Sequence, residues 1–212
     1  MELRGIDVSY WQGLINWEEV KASHMVDFVI IRAGAANKLD KRFKLNVAGC
    51  ARNGIPYGLY WASYATTPTE AVKEAELLYP YARMCKPDYP LYIDFEEFSL
   101  SNLRMARPKL TKAHYGEIIR DIITAWGERI EKLGGYAAFY GNKSFTYNYI
   151  GEAMKKRFDY WLAYWSDSAP AYPNRMIQYT NKLRIPGIPT NVDGDICKYD
   201  YPALIRGRFN GT

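Results

Sequence analysis

Phe28-Val29-Ile30-Ile31-Arg32-Ala33-Gly34 is a near-continuous apolar run, the pattern of a strand covered on both faces, as the strands of a parallel sheet are. A strand with one wet face would alternate apolar and polar residues instead. On its N-terminal side, Asn16 caps the helical stretch WEEVKAS, and before that Leu3–Ser9 (LRGIDVS) reads as a strand. On its C-terminal side, Phe43–Asn53 has helical spacing and stops at Gly54, followed by a strand over Tyr57–Ser63 (YGLYWAS). The alternation continues outward. A helix opens at Thr67-Pro68 and runs to about Met84, with proline near its first turn. Pro90–Glu97 (PLYIDFEE) is a strand, Thr111–Leu133 the longest helix, and Tyr136–Tyr140 another strand.

After residue 150 the helical patterns fade. Asp159–Trp165 (DYWLAYW), Met176–Thr180 (MIQYT) and Asn191–Cys197 (NVDGDIC) read as strands joined mainly by proline-rich loops. Eight strands alternating with helices predict an α/β protein whose parallel sheet closes, or nearly closes, into a short β/α barrel. An open doubly wound sheet is the alternative, but no G-x-G-x-x-G or P-loop follows any strand, which argues against nucleotide chemistry. No repeat or low-complexity linker divides the 212 residues, so a single domain over residues 1–212 is expected.

The composition narrows the function. Hydrophobic residues make up 48% and charged residues 24%, which excludes intrinsic disorder. Nineteen tyrosines and six tryptophans stand against eight phenylalanines. Tyr and Trp offer a flat apolar face with a polar handle, suited to a hydroxyl-rich ligand. Cys50, Cys85 and Cys197 are odd in number and lack C-x-x-C spacing, and His24 and His114 are too scattered for a metal site. Neither a disulfide framework, nor a metal, nor a cofactor is expected. The opening MELRGIDVSYW carries no signal-peptide pattern, and no window suits membrane insertion. A net charge of +5 favours a polyanionic partner but forms no Lys/Arg stripe of the kind nucleic acid requires.

In a β/α barrel the chemistry sits where the strands end. Asp7, Asp94, Glu96, Asp193 and Asp195 all fall in strands, where acidic residues are disfavoured and costly to bury unpaired. Residues i and i+2 of a strand share a face, which places the Asp94 and Glu96 backbones about 6.5 Å apart on one side and turns Phe95 toward the helices. Two carboxyls in one pocket push their pKa values apart, giving an acid and an anion, as cleavage of a glycosidic bond requires. Each acid also has a plainer reading: Asp94 and Glu96 as solvated strand-end residues, Asp7 as a helix cap, and Asp193-Gly194-Asp195 as a turn. Their gathering at one rim favours the chemical reading.

Asp7-Val8-Ser9 with Gln12-Gly13, FVIIRAG, Gly58-Leu59-Tyr60, LYIDFE, WLAYW, Gln178-Tyr179 and NVDGD together resemble the glycoside hydrolase family 25 muramidases, in order, from about residue 3 to residue 197. The resemblance implies an irregular (β/α) barrel of about eight strands, the last partly antiparallel with few helices. It implies hydrolysis of the β-1,4 bond between N-acetylmuramic acid and N-acetylglucosamine in bacterial peptidoglycan. Glu96 resembles the family's general acid, Asp94 the carboxylate two residues before it, and Asp7 and Asp193 the acids flanking the cleft. Tyr60 matches a cleft tyrosine, and Trp61 stands where histidine is common. Tyr60, Trp61, Tyr164, Trp165, Gln178 and Asp195 are the expected substrate contacts. Gly194 departs from the family, which commonly has an apolar residue there. The chain also resembles a bacteriophage endolysin, made in the host cytoplasm without a signal peptide and acting on the wall after release. The sequence leaves the oligomeric state open.

Two other glycan readings compete: a non-catalytic sugar-binding barrel, which has no need of both Asp94 and Glu96, and a chitinase-like glycosidase, which the short chain and the first-strand D-V-S disfavour. For the reaction itself three routes stay open: an inverting pair, a retaining pair with an enzyme nucleophile, and attack by the substrate's own 2-acetamido group, which suits a D-x-E pair.

Overall fold

In a computed structural model the described residues are 2–166 and 175–206. Nine strands form one sheet: β1 (Leu3–Val8), β2 (Phe28–Ala35), β3 (Lys38–Leu39), β4 (Tyr57–Ala62), β5 (Leu91–Asp94), β6 (Ala137–Asn142), β7 (Asp159–Ala163), β8 (Met176–Leu183) and β9 (Val192–Cys197). β1 pairs with both β2 and β9, so eight strands close on themselves and the open-sheet alternative falls. The two-residue β3, a hairpin partner of β2, lies outside this ring and was not foreseen. Pairing is parallel from β1 round to β8. Within the closed ring only β9 runs against its neighbours, antiparallel to both β8 and β1.

The elements form where local chemistry asks for them. β2 is buried at Phe28, Val29, Ile30, Ile31 and Ala33, as a strand sandwiched between barrel interior and helices must be. α1 (Trp17–Ala22) begins where the Asn16 side chain accepts from the Glu19 N–H, and α2 (Phe43–Arg52) fills the expected span. α3 (Pro68–Cys85) starts with a Thr67 cap and proline in its first turn. α5 (Lys112–Lys132), after its Thr111 cap, buries Ile119, Ile122, Ile123, Trp126 and Ile130, a stripe at helical period.

Between these last two lies α4 (Glu97–Ala106), which the sequence reading assigned to no element. Strand β5 stops at Asp94, three residues earlier than expected, and Glu96 becomes the N-cap residue of α4. Helices also persist later than expected: a turn at Lys143–Phe145 leads through a π-helical segment, Thr146–Ile150, into α6 (Gly151–Arg157), and α7 (Tyr201–Ile205) follows β9. The proline-rich stretch expected between β7 and β8 lies largely in 167–174, outside the described residues.

Candidate active site

At the C-terminal rim of the parallel strands a hollow of about 100 Å³ is lined by Asp7, Tyr60, Asp94, Glu96, Tyr140, Trp161, Gln178 and Asp193. It opens into a larger cavity of about 500 Å³ toward β6–β8, which shares Glu96, Tyr140, Gln178 and Asp193 and adds Asn142, Lys143, Tyr164 and Trp165. All four acids assigned catalytic roles therefore meet in one place. β1 and β9 bring two of them together directly, since Asp7 and Asp193 are cross-strand partners in the antiparallel ladder.

Glu96 owes its position to the start of α4. Its N–H donates to Ser99 Oγ at 3.2 Å, and that hydroxyl donates to the Ser63 carbonyl at 2.8 Å just beyond β4. The backbone at Glu96 is still extended, so the two carboxyls keep the i, i+2 relation even though the ladder has ended. Phe95 between them is buried near Phe145.

Gln178 on β8 is the polar hub. Its Nε2 donates to Asp7 Oδ2 at 2.9 Å and to Asp193 Oδ2 at 3.2 Å. Its Oε1 accepts from the Tyr140 hydroxyl at 3.0 Å and from Trp165 Nε1 at 3.3 Å. Trp161 floors the hollow, with Tyr140 4.5 Å and Tyr60 6.1 Å from it between ring centroids. Tyr164 is half-buried, with the Lys143 ammonium 4.7 Å above its ring.

Two expected contacts are placed elsewhere. Trp61 is 1% exposed and donates to the Ala36 carbonyl at 3.2 Å, on the helix side of β4. Neighbours in a strand face opposite ways, so with Tyr60 in the hollow Trp61 turns its back to it. Asp195 is 0% exposed and pairs across the ladder with Gly5, one layer below Asp7. It accepts from Trp161 Nε1 at 2.8 Å and so bears on the floor from beneath. Gly194, the departure from the family pattern, has a local cause: a Cβ there would lie 2.5 Å from Leu183 and 3.0 Å from Thr180 of β8. Tyr140 is a lining residue the sequence reading missed, although its place at the end of a barrel strand was a usable signal.

The electrostatics are those of too many acids in a dry hollow. Burial pushes Glu96 up to about 7, with the Glu97 and Asp193 charges adding to it. Burial, then Glu96, holds Asp94 well above the usual carboxylate range, against the pull of Arg32. Burial, then Asp195 and Asp193, raises Asp7, against the bond from Gln178. Burial raises Asp193 to about 6. Asp94 Oδ1 is buried with no hydrogen-bond partner among the described residues. A proton is thus held at near-neutral pH beside groups that resist full ionisation, as general acid catalysis requires.

Lysozyme M1 of Streptomyces globisporus is 26% identical over 231 residues, covering 99% of this chain and 70% of that protein. YegX of Escherichia coli K12, an uncharacterized protein, is 24% identical over 218 residues, with the same shares covered. The modular autolysin LytC of Streptococcus pneumoniae superposes with a TM-score of 0.78 at 26% identity over 92% of this chain, which spans only 46% of LytC. The catalytic domain of endolysin ply40, from bacteriophage P40 of Listeria monocytogenes, shares the fold with a TM-score of 0.74 at 23% identity, covering 98% of both chains. Residues 6–188 match glycosyl hydrolases family 25, a span that holds Asp7, Asp94 and Glu96 and ends just short of β9. The chain belongs to glycosyl hydrolase family 25.

Proposed function

We propose that the protein is an N-acetylmuramidase that cleaves the β-1,4 bond between N-acetylmuramic acid and N-acetylglucosamine in bacterial peptidoglycan. The observation that carries this reading is Glu96. It lines the same hollow as Asp94, Asp7 and Asp193, with its carboxyl pushed up to about 7 by burial. The Streptococcus pneumoniae autolysin is also known in complex with a synthetic peptidoglycan ligand.

In the reading we favour, Glu96 gives its proton to the glycosidic oxygen as the bond to the anomeric carbon breaks. The acetamido oxygen of the same sugar attacks that carbon, and Asp94 accepts the acetamido N–H and balances the positive charge. Water then adds to the anomeric carbon and displaces the acetamido oxygen, which returns to its amide, while the water proton passes to Glu96 and the anomeric configuration is retained. Asp7 and Asp193 are tethered together through Gln178 beneath the developing cation, and Asp193, at about 6, supplies negative charge there at neutral pH.

The test is release of new reducing ends from purified peptidoglycan, with chitin oligomers and nucleic acid as controls. Activity on peptidoglycan alone supports the assignment. NMR of the first-formed product distinguishes the routes, since an inverted α-anomer overturns acetamido participation. The finer reading is lysis of a bacterial host from within, as part of phage release. It is tested by producing the protein in a bacterial cytoplasm with and without a separately supplied membrane pore. Lysis that needs the pore is the expected result, and lysis without it rejects the endolysin role.

A further inference from the structure

Of the six tryptophans, four are buried, while Trp165 is 57% and Trp11 67% exposed. The two exposed rings sit on opposite sides of the acid hollow. Trp165 lines the cavity toward β6–β8. Trp11 lines a separate cavity of about 360 Å³ over the ends of β1, β2 and β4, with Tyr10, Arg32, Lys38, Asp40, Lys41 and Tyr64 among its walls. Arg32 links this second cavity to the hollow, because its charge acts on both Tyr60 and Asp94.

The platform under Trp11 is built rigidly. Ser9 N–H donates to Gln12 Oε1 at 2.8 Å and Trp11 N–H to Ser9 Oγ at 3.3 Å, closing the turn. Tyr10 N–H donates to Asp40 Oδ2 at 3.1 Å, and the same oxygen accepts from Arg32 Nε at 2.7 Å. The Asp40 side chain is wholly shielded from solvent. Gly34 permits the hairpin that carries Lys38 and Asp40, since a Cβ there would lie 2.5 Å from both the Lys38 carbonyl and the Trp61 ring. A large aromatic left in water on a pinned backbone forgoes the gain of burial, a cost that binding surfaces bear.

The two cavities differ in charge. Toward β6–β8, Lys143 faces Glu96 and Asp193. Toward β2, Asp40 answers Arg32, while Lys38 and Lys41 are exposed and form no ion pair among the described residues. We propose that the β1–β2–β4 cavity is a subsite for a muramyl residue bearing its peptide stem. The sugar lies on the Trp11 ring, and the stem carboxylates reach Lys38 and Lys41. This rests on the muramidase reading and adds to it a basis for preferring stem-bearing glycan over naked glycan.

The test uses charge reversal, K38E/K41E, and Trp11→Ala, both at exposed positions. Walls stripped of teichoic acid are compared with the same walls after an amidase has removed the stems. Reversal is expected to raise KM roughly tenfold on stem-bearing wall with kcat held, and to change cleavage of stem-free glycan less than twofold. Trp11→Ala is expected to raise KM on both. An equal effect of reversal on both walls, or none, overturns the proposal, as does an effect confined to walls that keep their teichoic acid. Cosedimentation with each wall, in a Glu96→Gln background, reads binding without cleavage. Lysine-dependent retention on stem-bearing wall, with no reducing ends released from any wall by the protein that keeps Glu96, would leave the subsite standing and remove the muramidase reading. Retention indifferent to the lysines removes the subsite whatever the activity.

Discussion

The two sides of the acid hollow are held by opposite means. On the β1–β8–β9 side, Asp7 and Asp193 share one amide donor, Gln178, and Asp195 beneath them takes the Trp161 N–H. On the β5–α4 side, Asp94 keeps a buried oxygen with no partner among the described residues, and Glu96 is held at the start of α4 through Ser99. Hydrogen bonds to a carboxylate favour its charged form, while burial without them favours the proton. Burial raises the acids on both sides, but on one side Gln178 fixes two carboxyls in place, while on the other Glu96 is poised to gain and lose a proton near pH 7. Within a single cluster of acids, the division of labour follows from which side chains are tied.

The largest effect is expected at Glu96. Glu96→Gln keeps the shape and removes the proton, so wall cleavage is expected to fall by roughly 10³-fold or more in a folded protein. Activity within tenfold of the parent would place the acid elsewhere. On the tied side, Gln178→Leu leaves Asp7 and Asp193 without their shared donor. A loss of roughly 10–100-fold, mostly in kcat, is expected from one buried hydrogen-bond hub, and a loss as large as that of Glu96→Gln would erase the distinction between the sides. A pH profile sharpens it: with Glu96 at about 7, kcat/KM should fall above that pH by about tenfold per unit, and the fall should be unchanged in Trp11→Ala.

The smallest effect is on stability. The fold raises Glu96 from its ordinary 4.5 to about 7 and Glu74 likewise, burial being the first cause for both. The protonated forms are therefore favoured on folding. The stabilisation is complete below about pH 4.5 and is lost as pH rises through about 7. Glu96→Gln should then unfold at higher denaturant than the parent at pH 8, by about 1–3 kcal/mol, and at the same denaturant at pH 4. No difference at pH 8 would mean that burial does not hold the proton on Glu96.

Strand periods and helix caps were legible in the sequence because they are local. The β2 run, the Asn16 cap and the helix starts at Thr67 and Thr111 all stand where the pattern puts them. α4 was hidden because it starts on Glu96 rather than on a short hydroxyl or amide side chain, and its Ser99 tie reaches back to β4, a contact 36 residues away in the chain. Asp7, Asp94, Glu96 and Asp193 were readable as strand-borne acids at one rim. The depth of Asp195 was not, since it depends on register with Gly5. The direction of Trp61 was readable in principle: strand alternation alone forbids Tyr60 and Trp61 from lining the same wall.

The reversed direction of β9 has a bearing on how such a barrel can be diversified. On the parallel strands, rim residues come last, and the segment that follows each strand shapes the mouth. On β9 the rim residue Asp193 comes second, so the segment that shapes the mouth is the one before it, between β8 and β9. That segment is fastened to the neighbouring connection between β1 and β2, where the Asn16 N–H donates to the Gly187 carbonyl at 2.9 Å. A loop graft meant to change which glycan is accepted therefore has to enter at residues 184–191, keeping the anchor at 187. The turn after Cys197, at the far end of the barrel, can be rewritten without altering what the mouth admits.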